Sequence, residues 1–220
     1  MTLKYDALVF DMDGTLLDSM PYWRMQNLVF LREHNLPVPE QMRGRETEIS
    51  SRLATQIFVE TFHLPMTPEE IFHGHERRML DNYLTVIREK PGAKAFLERM
   101  ARLNQRMCVA TATPSDIAAQ ALEKQGMLKY FEFVVSREEL GATKNEPVFF
   151  ERVARRLDAS CARLAMFEDA LYAIQSACAA GMDLFAIYDD TARADAPRIK
   201  QLCRRYFESY DQLEDGLFVI

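Results

Sequence analysis

The stretch ALVFDMDGTLLDS, residues 7–19, sets Asp11 and Asp13 one residue apart where an apolar run ends, and Gly14, Thr15 and a third acid, Asp18, follow. Two carboxylates that close repel each other, and burial sharpens the repulsion. Something must offset them. Farther along, the chain supplies Thr111 in VATAT, Lys144 in GATKNEP, and the pair Glu168–Asp169 in FEDALY. Carboxylates from two separate strands form a hard oxygen site suited to Mg²⁺. An ammonium beside them can hold a phosphoryl group whose charge would otherwise repel an attacking carboxylate. Thr111 can donate a hydrogen bond to such a group, and Gly14 permits the sharp turn that keeps both aspartates in place.

These residues depend on the elements that carry them. YDALVF (5–10), RMCVAT (106–111), FEFVVS (131–136), RLAMFE (163–168) and DLFAIY (183–188) read as strands: short, rich in β-branched or aromatic residues, bounded by polar turns. Between them Phe149, Val153 and Leu157 recur at i, i+4, i+8, and Leu171, Ile174 and Cys178 at i, i+3, i+7, as on one helix face. Pro114 after Thr113 reads as an N1 proline behind an N-cap. The alternation predicts an α/β fold, a Rossmann-like parallel sheet with helices on both faces. In such a sheet ligands bind beyond the carboxyl ends of the strands. Asp11, Asp13, Thr111, Glu168 and Asp169 fall at those ends, with Lys144 soon after the third strand.

One interval breaks the rhythm. From about residue 20 to residue 90 only helical stretches occur, such as YWRMQNLVFLREH and PEEIFHGHERRMLDNYLTVIRE. That is far longer than a crossover between parallel strands requires. Pro91–Gly92 then mark a break before a new helix. The expected organisation is a core of residues 1–16 and 91–220, interrupted by an inserted helical cap of residues 17–90. Asp18 and Ser19 would cap its first helix.

Hydrophobic content of 48% and charged content of 27% describe an ordinary globular chain. With 27 Lys and Arg against 33 Asp and Glu the formal charge is −6, and no basic run occurs, which disfavours nucleic-acid binding. Cys108, Cys161, Cys178 and Cys203 form no CxxC pair and read as reduced, mostly buried thiols of a cytoplasmic protein. Asp6 and Asp11 come too early for a signal peptide, and no apolar run is long enough to span a membrane.

DMDGTLLDS, VATAT, the lysine of ATKNEP and FEDALYAIQSACAAGM, in that order, resemble the four motifs of the haloacid dehalogenase-like superfamily. The likeness is to its phosphatase and phosphohexomutase branch and covers essentially the whole chain, including the position of the helical cap. It implies Asp11 as nucleophile, forming an aspartyl-phosphate, and Asp13 as general acid/base. It implies Thr111 and Lys144 as phosphoryl-binding groups. The implied Mg²⁺ ligands are Asp11, the Asp13 backbone carbonyl, Asp169 and, directly or through water, Glu168. Dehalogenases of the superfamily lack the acid at Asp13, so the resemblance points to phosphoryl transfer. Asn145, Ala170 and Ala173 depart from the usual proline, serine and glycine, which touches loop geometry and removes no catalytic group.

The same resemblance separates two acceptors for the phosphoryl group. In β-phosphoglucomutase-like relatives a cap histidine and a loop arginine serve the mutase. Here Trp23 and Thr47 occupy those positions, which favours a phosphatase acting on a small phosphomonoester of the sugar phosphate or phosphoglycolate type. A phosphohexomutase is the alternative, and a non-catalytic binding protein on the same fold is a second. The expected partner is a small phosphorylated metabolite, not nucleic acid or membrane, and the expected state a monomer or weak dimer. Trp23 suits cap packing or a view into the site. Arg43, Arg45 and Arg77 suit either an anionic part of the substrate or an ordinary surface. A calcium loop starting at Asp11 fails, because Tyr22 stands where its bidentate glutamate is needed. His73 and His75 alternate on a helix and read as surface residues, and HERR as a solvated face.

Overall fold

The computed structural model describes residues 2–46 and 49–219. In chain order these form β1 (Ala7–Phe10), α1 (Met20–Glu33), α2 (Ser51–Phe62), α3 (Pro68–Thr85), α4 (Ala93–Arg102), β2 (Met107–Thr111), α5 (Ser115–Lys124), β3 (Val134–Ser136), α6 (Arg137–Leu140), α7 (Pro147–Arg156), β4 (Leu164–Glu168), α8 (Leu171–Ala179), β5 (Asp183–Ile187), α9 (Ala196–Leu202) and β6 (Arg205–Phe207). The chain divides into two compact units, Met1–Asp18 with Arg88–Ile220, and Ser19–Ile87.

The first unit carries a six-stranded sheet of order β3-β2-β1-β4-β5-β6, parallel throughout. Every residue of β1, β2 and β4 is buried, as a sheet covered on both faces demands. Alternation then sorts the side chains into two chemistries. Ala7, Val9, Cys108, Ala110, Leu164, Met166, Leu184 and Ala186 join Phe149, Phe150, Val153 and Ile174 in an aliphatic-rich core. The in-register residues Phe10, Phe167 and Phe185 stack across three strands, at 4.5 and 5.0 Å between ring centroids. Phe96 of α4, Tyr210 and Phe218 extend that aromatic layer.

Strand order reverses at β1. From there the chain builds outward through β2 and β3, then returns to β4 on the other side. This switch point opens a crevice at the carboxyl ends of β1 and β4. The chain leaves and re-enters the first unit beside itself: Leu17 and Glu89 form an antiparallel bridge, and Asp18 N donates to Arg88 O at 2.9 Å. Buried Lys90 fixes this pair of linkers, giving its Nζ to Asp189 Oδ2 at 2.7 Å and Tyr188 O at 3.3 Å, with Asp18 Oδ1 at 3.6 Å. Gly92 then turns into α4 with φ +75°, where a Cβ would sit 2.6 Å from Asp211 Oδ1.

Some elements differ from expectation. The third strand keeps only Val134–Ser136 of the expected 131–136: a 3₁₀ turn at Leu128–Tyr130 runs up to Phe131, and Glu132 N and Phe133 O still bond Met107 O and Val109 N of β2 just ahead of the strand. Strand β6 carried no period-two signal, being a three-residue edge strand. Cys178 is exposed, since α8 turns Ala173, Ile174, Ser176 and Ala177 inward. Of the four free cysteines only Cys108 is buried, against the expectation of mostly buried thiols.

The second unit is three helices around a core of its own, Phe30, Leu31, Met42, Ala54, Phe58 and Ile71. Ser19 is the N-cap residue of α1, with Pro21 in its first turn, although no side chain closes the cap. Thr67 and Glu70 form a reciprocal capping box on α3. His73 is exposed and meets Glu76 at 2.7 Å. His75, expected at the surface, is fully buried beside Phe30 and Phe72, and neither ring nitrogen has a hydrogen-bond partner. Burial, with Arg78 nearby, pushes its pKa down to about 4, so it packs as a neutral ring. Glu76 is buried too, so HERR is not a wholly solvated face. No described helix is long and apolar enough to cross a membrane.

Candidate active site

Asp11 directly follows β1, its backbone N–H donating to Phe167 O of the neighbouring strand at 3.0 Å. Gly14, at φ 80°, then reverses the chain, and the amides of Thr15, Leu16 and Leu17 all converge on Met12 O. This tight turn keeps Asp11, Asp13 and Thr15 at the crevice. Glu168 ends β4 and Asp169 follows it. Lys144 arrives on a loop with defined ends. Gly141 closes α6 in the left-handed region, and Thr143 binds the Glu146 carboxylate through N and Oγ1, both at 3.0 Å, just before Pro147 opens α7.

The side chains meet as their positions predict. Lys144 Nζ donates to Asp11 Oδ1 at 2.6 Å and Glu168 Oε1 at 3.0 Å, with all three side chains buried. Thr15 Oγ1 lies 3.1 Å from Asp169 Oδ1 and 3.4 Å from Glu168 Oε2. Oxygens of Asp11, Glu168 and Asp169 lie within 4.8 Å of one another. Burial and the Glu168 charge push the Asp11 carboxyl up to about 7, against the pull of Lys144. Asp169 is raised well above the usual carboxylate range by burial and by Glu168 and Asp11. Burial disfavours the Lys144 charge, but Asp11 and Glu168 outweigh it and raise its pKa. With all three buried carboxylates ionised, the single Lys144 ammonium would leave two negative charges without a counterion. That deficit and the hard oxygen donors fit a divalent cation such as Mg²⁺.

Asp13 stands apart from this cluster. Its Oδ2 accepts from Thr113 Oγ1 at 2.7 Å, and Thr113 N in turn donates to Thr111 Oγ1 at 3.1 Å. The Thr111 hydroxyl proton is left to donate elsewhere. Thr113, whose place in the sequence suggested a helix cap, joins the candidate site through these bonds. The helix instead starts at Ser115 with Pro114 as its N-cap, and the threonine turns to Asp13. Its signal was a second hydroxyl two residues after Thr111. Tyr210 was also missed: fully buried, it donates its hydroxyl to Thr15 O at 3.3 Å.

The residues expected from the helical unit are less committed to chemistry. Trp23 gives its indole N–H to Tyr83 Oη at 3.0 Å and stacks on Phe72. Arg43, Arg45 and Arg77 are exposed. Thr47 lies outside the described residues.

Residues 5–181 match the sequence profile of the haloacid dehalogenase-like hydrolases. The chain belongs to this family. Among relatives of this haloacid dehalogenase-like hydrolase, the phosphorylated carbohydrates phosphatase of Thermotoga maritima is 25% identical over 81% of this chain and 82% of its own. The fructose-1-phosphate phosphatase YqaB of Escherichia coli is 29% identical over 82% and 95%. The solved structure of CbbY from Rhodobacter sphaeroides in complex with phosphate shares the fold, with a TM-score of 0.77 at 19% identity, covering 95% of the hydrolase and 96% of that chain.

Proposed function

We propose that this hydrolase is a Mg²⁺-dependent phosphatase that releases phosphate from small sugar phosphates through an aspartyl-phosphate on Asp11. Family membership and the phosphatase relatives support a phosphomonoester hydrolase. The observation that carries the residue assignment is the division of labour between two neighbouring carboxylates. Asp11 is buried against Lys144, while Asp13 is held out of the acidic cluster by Thr113.

In this reading an Asp11 carboxylate oxygen attacks phosphorus and the ester P–O bond breaks. Asp13 gives its proton to the departing sugar oxygen. The same carboxylate then takes a proton from a water that attacks the acyl phosphate, returning Asp11 and releasing phosphate. The Thr113 bond fixes the Asp13 rotamer for both transfers. Lys144 offsets charge on Asp11 and the phosphoryl group, and Thr111 donates to a phosphoryl oxygen. Asp11, Glu168 and Asp169, with the Asp13 carbonyl, would hold Mg²⁺, which when bound would supply positive charge to offset that of the phosphoryl group.

The committed packing of Trp23 supports water as the acceptor, since an indole bonded to Tyr83 offers no proton-shuttling ring to a second sugar hydroxyl. The test is phosphate release from hexose phosphates, phosphoglycolate, nucleotides and an aryl phosphate, with and without Mg²⁺. Asp11→Asn is expected to abolish metal-dependent release. Release that survives the substitution would remove Asp11 as nucleophile.

A further inference from the structure

Aromatic side chains of the first unit are nearly all consumed by packing. Phe10, Phe96, Phe167, Phe185, Phe207, Tyr210 and Phe218 form one connected layer. Tyr172 differs. It lies in the first turn of α8, three residues past Asp169 and four past Glu168, and is 47% exposed. Among the described residues it has neither a ring neighbour nor a hydrogen-bond partner. Its hydroxyl end sits in crowded surroundings, which raise its pKa. Lys144 pulls the other way, and Glu168, Asp11 and Asp169 add to the rise. An unpartnered aromatic ring therefore borders the charged cluster with part of its surface open to solvent.

We propose that Tyr172 is a specificity-determining residue whose ring stacks on the sugar ring of the leaving group. This inference rests on the phosphatase reading for where the phosphoryl group lies. With phosphorus at Asp11 and Lys144, the part of the substrate within reach of Tyr172 is the part bonded directly to the phosphate. A sugar ring presents a face of C–H groups carrying slight positive charge, which the negative face of an aromatic ring attracts. Its hydroxyl rim stays polar, matching a phenol with a free O–H. A nucleobase lies one sugar farther from phosphorus and would pass this ring by.

The test separates stacking from phosphoryl capture and from turnover. In Asp11→Asn protein with Mg²⁺, binding of a hexose phosphate and of orthophosphate is measured by calorimetry with Tyr172, Tyr172→Phe and Tyr172→Ala. The alanine variant is expected to bind the hexose phosphate about tenfold more weakly and orthophosphate within twofold of its parent. The phenylalanine variant is expected to keep most of the sugar affinity. Equal losses for both ligands, or none for the sugar, would overturn the proposal. So would a parent protein that binds the hexose phosphate no tighter than orthophosphate. Phosphate release by the Asp11 enzyme, run in parallel, judges the phosphatase reading separately.

Discussion

Asp11 shows how a single carboxyl group links the site to the stability of the fold. Its pKa moves from an ordinary 3.8 up to about 7 because burial and the Glu168 carboxylate outweigh Lys144. Between those values the folded chain holds a proton that the unfolded chain has lost. Without metal, stability therefore falls as pH rises through this window, and the raised Asp169 carboxyl adds to the same trend. A divalent cation favours the ionised carboxylates, so its stabilising effect grows over the same range. Melting temperatures from pH 4.5 to 8 are expected to fall in EDTA and to separate progressively from those in Mg²⁺. A gap that stays constant with pH would mean that these carboxyls do not hold the metal. At this scale the sequence was largely legible: Asp11, Lys144, Glu168 and Asp169 stand at strand ends or on a defined loop, where position alone predicts convergence. Thr113 was not, because a threonine before a proline looks the same whether it caps a helix or binds a carboxylate across the crevice.

Among the elements, the short antiparallel pair at Leu17–Asp18 and Arg88–Glu89 is held by one buried cation. Lys90 sits between Asp189, which follows β5, and Asp18 of the other linker. Replacing it with methionine would leave the Asp189 carboxylate buried, with Thr191 alone among the described residues to bond it. Loss of one member of a buried pair typically costs about 3–5 kcal/mol. Lys90→Met is expected to lower the stability of the sheet-bearing unit by that order in urea unfolding. Lys90→Met with Asp189→Leu is expected to recover much of it, since the stranded charge is gone. Neither the clamp nor β6 could be read from the sequence. A lysine after an apparent helix and a three-residue edge strand leave no periodic trace, while β1, β2 and β4, buried on both faces, announce themselves as runs that are apolar up to at least their next-to-last residue.

Across the whole molecule, two hydrophobic cores correspond to two stretches of chain, one interrupted and one continuous. The expectation of a cap over residues 17–90 came from seventy-odd residues without a strand pattern, and the second compact unit runs Ser19–Ile87. The environment of its side chains was not legible, as His75 illustrates. Helical spacing places His73 and His75 on different faces but does not say which face the core will take. The adjacency of Leu17 and Glu89 also has an evolutionary reading. A segment that starts and finishes at one hydrogen-bonded pair adds to the sheet's folding only the entropy of closing a loop, which rises slowly with loop length. Exchanging residues 19–87 for a short Gly/Ser connector is therefore expected to leave a cooperative melt and a native-like circular dichroism spectrum for the remainder. Lineages could then lengthen, shorten or replace this insert while the strands that carry Asp11 and Glu168 stayed under separate selection.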